Sequence, residues 1–105
     1  MDRQKDLELI LEELKAFHGL ISKVFHVQKL FLYASAAGIY DIDVGVVLKP
    51  IPQKSRDHIT AELSRYAQHI DQNIKPHCIF SQEYEAHNYA SSLGKIIRTA
   101  IPVLI

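Results

Sequence analysis

The stretch Tyr40–Leu48, "YDIDVGVVL", constrains the fold more than any other part of the chain. Its density of valine, isoleucine and leucine favours a strand. Side chains on a strand alternate between two faces, so residue parity sorts them. Ile42, Val44, Val46 and Leu48 share one face; Asp41, Asp43, Gly45 and Val47 share the other. Only the first face can be core. The second is acidic at its start and shallow at Gly45, and carboxylates avoid burial unless paired or bound to a metal. The sheet is therefore expected to bury one side and leave the acidic side partly open.

The flanking segments supply what such a sheet needs. Leu7, Ile10, Leu11, Leu14, Phe17, Ile21, Val24 and Phe25 recur at three- and four-residue steps, which predicts an amphipathic helix fading near His26. Leu30–Tyr33 reads as a buried strand, and the small residues "ASAAG" turn the chain into the acidic strand. Pro50 and Pro52 end that strand, and Ser55 is placed to cap a second helix with Ile59, Leu63, Tyr66, Ala67 and Ile70 inside. "KPHCIF", Lys75–Phe80, reads as a third strand. Asn88–Thr99 reads as a third helix with Leu93, Ile96 and Ile97 inward, and "IPVLI" as a short edge strand carrying Pro102.

The first two strands, joined by a short turn, are expected to pair antiparallel; the crossover through the second helix favours a parallel neighbour. The expected fold class is α/β (α+β), a mixed sheet with helices packed on one face. With 105 residues the chain has enough length for one modest core, so 1–105 is expected to form a single domain. Twelve Lys and Arg balance twelve Asp and Glu, which argues against a nucleic-acid partner held mainly by phosphate attraction. Cys78 is the lone cysteine, which suits a reducing compartment. The charged start "MDRQKDLELILEELK" is unlike a signal peptide, and no apolar run reaches the roughly 20 residues that span a bilayer. A soluble cytoplasmic protein is the expectation.

Asp41 and Asp43 are the candidate chemical residues. Two carboxylates at i and i+2 on a strand point the same way and can share a hard cation. Mg²⁺ typically takes one or two protein carboxylates and completes its shell with water and substrate phosphates. The turn around Ala34, Ser35 and Gly38 would let phosphates approach backbone N–H groups, and Ser35 adds a hydroxyl. An acidic pair on a half-exposed strand is equally what a plain solvated face looks like.

Element order and motifs together resemble the minimal nucleotidyltransferases of the DNA polymerase beta-like superfamily, of which this chain looks like a divergent member. "LFLYAS" is similar to the family's first strand and Gly-Ser turn, "AAG" to its glycine-marked loop, and "DIDVGVVL" to its Asp-x-Asp strand. "GKIIRTAIPVLI" is similar to its last helix and terminal strand. The resemblance implies metal-dependent transfer of a nucleoside monophosphate from a nucleoside triphosphate to a hydroxyl. Asp41 and Asp43 would be the catalytic ligands of Mg²⁺ or Mn²⁺, and Ala34, Ser35 and Gly38 the nucleotide-binding residues. It also implies a partner: family members in bacteria and archaea often pair with helical HEPN proteins in antitoxin-like systems. The apolar tail hints at a covering surface, a homodimer or that partner.

The departures are specific. Ala34-Ser35 replaces Gly-Ser, the loop to Asp41 is short, and it carries no basic residue. Where the family places a third acid, the third strand offers His77 or Cys78, and parity alone leaves the choice open. His77 is the candidate third metal ligand, although imidazole is softer than Mg²⁺ prefers. A missing third acid bears on turnover more than on binding, which gives the alternative expectation of a catalytically weak or inert interaction protein. Other candidates read as ordinary structure. Cys78 and His77 are strand neighbours facing opposite ways, so they make no thiolate–imidazole pair. His58, His69 and His87 lack zinc-like spacing, and His18 borders an apolar stripe. Tyr84 and Tyr89 suit a sheet edge, and Lys49 a solvated strand end.

Overall fold

The structure is a computed structural model that describes residues 7–33, 41–86 and 92–103. Among them the chain runs α1 (Leu7–Ile21), β1 (Val27–Leu32), β2 (Ile42–Leu48), α2 (Arg56–Gln68), β3 (Ile74–Phe80), α3 (Ser81–Ala86), α4 (Ser92–Thr99) and β4 (Ile101–Pro102). The four strands form one mixed sheet in the order β3-β2-β1-β4. β1 pairs antiparallel with β2 and with β4, and β2 runs parallel to β3. The hairpin, the helical crossover and the short edge strand all follow the sequence expectation.

Parity sets the core. Ile42, Val44, Val46 and Leu48 join Leu30 and Leu32 of β1 and Ile74 and Cys78 of β3 on one face. Leu14, Phe17 and Ile21 of α1 and Ile59, Leu63 and Ala67 of α2 close over them. α1 ends earlier than its apolar stripe, and past Ile21 the chain tightens into a turn where the Lys23 N–H donates to the Leu20 carbonyl at 3.4 Å and the Val24 N–H to the Ile21 carbonyl at 3.0 Å. Phe25 stays buried all the same. α2 begins where its cap predicts: Ser55 Oγ accepts from the His58 N–H at 3.1 Å. Glu62, buried on α2, accepts from Lys54 Nζ at 2.9 Å, so its carboxylate has a partner.

The second face is less open than expected. Phe31, Val47 and Ile79 lie on it, and Tyr84 of α3 with Leu93, Ile96 and Ile97 of α4 cover them. Helices therefore sit on both faces, the two longer ones on the first. α4 is seen from Ser92; the expected start at Asn88 lies outside the described residues. α3 was not anticipated, since six residues are too few to show a helical period. Its start is held by a partial capping box, in which Glu83 Oε1 accepts from the Phe80 N–H at 2.9 Å. Arg56 ties α2 to this junction. It donates to the Cys78 carbonyl at 2.8 Å and to Glu83 Oε2 at 2.5 Å, and its guanidinium lies 4.6 Å from the Phe80 ring centroid.

Candidate functional site

What remains open on the second face is the end where β2 begins. Asp43 sits within β2 on that face, and Asp41, exposed, lies just before the strand. Ala34, Ser35 and Gly38 lie outside the described residues. The parallel register places Lys75 beside Asp43 and His77 beside Gly45. This settles the choice that parity left open. His77 shares the face of Asp43, whereas Cys78 packs in the main core. Burial pushes the Cys78 thiol up to about 11, with Arg56 pulling weakly the other way, so a reactive thiolate does not form near neutral pH.

His77 does more than share the face. Its Nε2 lies 3.0 Å from Asp43 Oδ1. A carboxylate has no proton to give, so the imidazole N–H donates and the ring is held in that tautomer. The side chains are 47% and 23% exposed, so the pair sits at the mouth of the face and not in the core.

An aromatic stack fixes the imidazole from one side. Phe31 on β1 is in register with Gly45, and its ring lies across the glycine. A Cβ at position 45 would meet Phe31 Cζ at 2.3 Å, so this position needs the absent side chain. The Tyr33 ring stacks on Phe31 with centroids 5.6 Å apart, and on His77 with centroids 5.0 Å apart and planes at 17°. Tyr33 N–H donates to the Asp43 carbonyl at 2.9 Å, which extends the β1–β2 ladder to this point. Burial, with the Asp43 carboxylate adding to it, raises the Tyr33 phenol above its ordinary value. Sequence reasoning did not put Tyr33 in the site. One signal was present: Tyr33 has the parity of Phe31.

The donors can be tested against the metal that the resemblance implies. Among the described residues, no three His, Cys, Asp or Glu side chains gather into a cluster. Asp43 is already engaged by an N–H donor, and the third position carries an imidazole instead of a carboxylate. A hard cation such as Mg²⁺ calls for oxygen donors in near-octahedral array. Asp41, Asp43 and His77 as placed do not fit that three-carboxylate site. A cleft of about 460 Å³ opens elsewhere, beside the β1–β4 edge, lined by Lys29, Phe31, Tyr84, Ile97, Pro102 and Val103. It contains none of the three. No helix among the described residues is long and apolar enough to cross a membrane. Compared with protein families, curated proteins and solved structures, the chain finds no match.

Proposed function

We propose that this chain is a binding protein on a nucleotidyltransferase-like scaffold, with little or no nucleotidyl transfer, whose partner is a helical protein of the HEPN type. One observation carries the reading: His77 holds Asp43 at 3.0 Å, on the strand position where a third acid would complete the catalytic set. A carboxylate engaged in this way is satisfied without a cation. Transfer needs the cation, because it neutralises the phosphoryl oxygens and aligns the attacking hydroxyl. The partner half is supported by the first helix. Leu7 and Leu9 of α1 are 48% and 49% exposed, with Ile10 and Leu11 only half-buried. A helical partner would cover this surplus of apolar surface.

Retained enzymatic transfer makes the opposite forecast, so one experiment separates the two. Each of the four nucleoside triphosphates is titrated into the protein by calorimetry with Mg²⁺ and again with Mn²⁺. A parallel assay follows label transfer from the α-phosphate. The expected result is no metal-dependent heat and no transferred label, with Asp43→Asn indistinguishable from wild type. Heat that Asp43→Asn abolishes establishes the nucleotidyltransferase reading instead. Co-expression with a small helical protein encoded beside this gene is expected to yield a stable complex. Two separately eluting proteins would remove the partner half.

A further inference from the structure

We infer that the cleft beside the β1–β4 edge is a binding site for a small organic anion, an apolar body carrying one carboxylate, with the Lys29 ammonium as its counter-charge. The inference is independent of the reading proposed for Asp43 and His77, since neither residue lines the cleft.

The cleft follows from the way β4 ends the sheet. β1 runs from Val27 to Leu32, but β4 pairs only with Phe31 and Leu32. The Val103 N–H adds one bond, to the Leu30 carbonyl at 2.9 Å. Among the described residues, no strand continues from there along the Val27–Lys29 half of β1. The β1–β2 register shifts between Val27 and Lys29, and a bulge of this kind bends a strand and re-aims its side chains. α4 leads into β4 through Ala100, whose side chain is too small to fill the space beside it.

The lining sets what can enter. About 460 Å³ is room for a small molecule. Phe31, Tyr84, Ile97 and Val103 make the walls apolar, so they favour an apolar body. Lys29 is the one charged side chain among the described residues of the lining. Its ammonium lies 5.5 Å from the Tyr84 ring centroid. A cation over a ring is attracted by the π face and keeps its charge. Among the described residues, no carboxylate forms an ion pair with it. The carbonyls of the last turn of α4 are engaged locally: that of Ile97 accepts from the Ala100 N–H at 3.3 Å, and Thr99 Oγ1 donates to those of Lys95 and Ile96. The ammonium is left to a ligand. A carboxylate placed there gains a charge-assisted hydrogen bond while its apolar body covers the walls. One ammonium matches one negative charge. A phosphate group has three acceptor oxygens and calls for more donors than this lining offers.

The probes are 1-naphthaleneacetate and its uncharged amide, 1-naphthaleneacetamide, which share one apolar body. Each is titrated into the full ¹⁵N-labelled chain, and amide shifts give both place and affinity. Both are expected to shift Lys29, Phe31, Tyr84 and Ile97. The carboxylate is expected to bind at least about threefold tighter, as suits an ion pair open to water. Lys29→Met is expected to lower the affinity for the carboxylate to that for the amide and to leave the amide unchanged. Lys29→Arg is expected to keep the preference. Equal affinities in wild type overturn the inference, as does a preference that survives Lys29→Met. So do shifts confined to other parts of the molecule, or no shifts with either probe at millimolar concentration. Shifts at the same four amides on concentrating the protein without a probe would mean that a second copy takes the cleft, and would overturn the inference too. The wild-type comparison of the two probes needs no variant, so it decides the matter even where a substitution disturbs the fold.

Discussion

The two faces of the sheet are built from the same strands and behave differently. On one face Val44, Val46 and Leu48 are wholly buried under Leu14, Phe17, Ile21, Ile59 and Leu63. On the other, one residue over, Asp43 and His77 meet at a mouth open to water, and helices cover only the far part. The period of two separates the apolar core from this polar pair at single-residue resolution. The first face holds the fold together by apolar burial, worth roughly 1.5–3 kcal/mol for each large side chain. The second holds a polar pair whose net contribution is small. If the comparison is sound, substitutions on the first face unfold the protein, and those at the mouth leave it folded.

The largest effect is expected in the first face. Phe17 is completely buried between α1 and the sheet. Phe17→Ala leaves a cavity and loses the ring's burial, at a cost of about 3–5 kcal/mol. Small domains are typically stable by about 5–15 kcal/mol, so much of the margin goes. Urea denaturation should show the midpoint falling steeply with little change in slope. A loss under about 1 kcal/mol would mean that the first face is not the stabilising one.

Gly45 lies where the two roles touch. Gly45→Ala drives a methyl into the ring of Phe31, which is itself 5% exposed and has little room to retreat. Overpacking of this kind costs about 1–3 kcal/mol. Phe31→Leu removes the ring, so in that background Gly45→Ala should cost clearly less. An additive double-mutant cycle would show that the two positions are not coupled through the contact.

The first face was legible in the sequence and the second only in part. Parity predicted the core residues of β2, and helical spacing predicted Leu14, Phe17, Ile59 and Leu63, because both signals are local. Parity also placed Asp43 on the opposite face. It could not choose between His77 and Cys78, since that depends on the register between β2 and β3, which no local pattern carries. Tyr33 was missed for the same reason: its role comes from a stack reaching over Gly45 to β3. α3 left a sequence trace only in Glu83, three residues after Phe80, and such a trace gains meaning once the strand end is known. The resemblance to minimal nucleotidyltransferases named the acids; the imidazole on Asp43 is what the structure adds.

A smaller effect is expected from the junction on the sheet's edge. The Arg56 side chain, bonded to Glu83 Oε2, holds the Glu83 carboxyl below its ordinary value, and the Phe80 N–H adds to this while partial burial opposes it. A carboxyl depressed in the folded state stabilises above its unfolded pKa and loses that contribution as pH falls through the folded value. The loss therefore begins near the ordinary carboxylate range, about pH 4–5, and continues below it. Wild type should lose more stability than Arg56→Met between about pH 6 and pH 3. Both side chains are 44% exposed, so solvent screens the pair and the difference should stay below about 1 kcal/mol. Equal acid sensitivity in the two proteins would mean that the bond does not form in solution.

The smallest effect on stability is expected at the mouth itself, where it sharpens the comparison most. Asp43 and His77 form one bond between partly exposed side chains. Removing either leaves the other reachable by water, so no buried charge is stranded. Asp43→Asn, His77→Ala and the double variant should each stay within about 1 kcal/mol of wild type. The coupling between the two should be about 0.5 kcal/mol or less. His77→Ala also removes a ring from the stack on Tyr33, so it is expected to cost more than Asp43→Asn. Chemical denaturation of the four proteins at one pH measures all of this. A coupling above about 2 kcal/mol would make the pair a structural bridge like those in a buried core. The two faces would then differ in composition but not in role, and selection for stability alone would explain why an imidazole sits against Asp43.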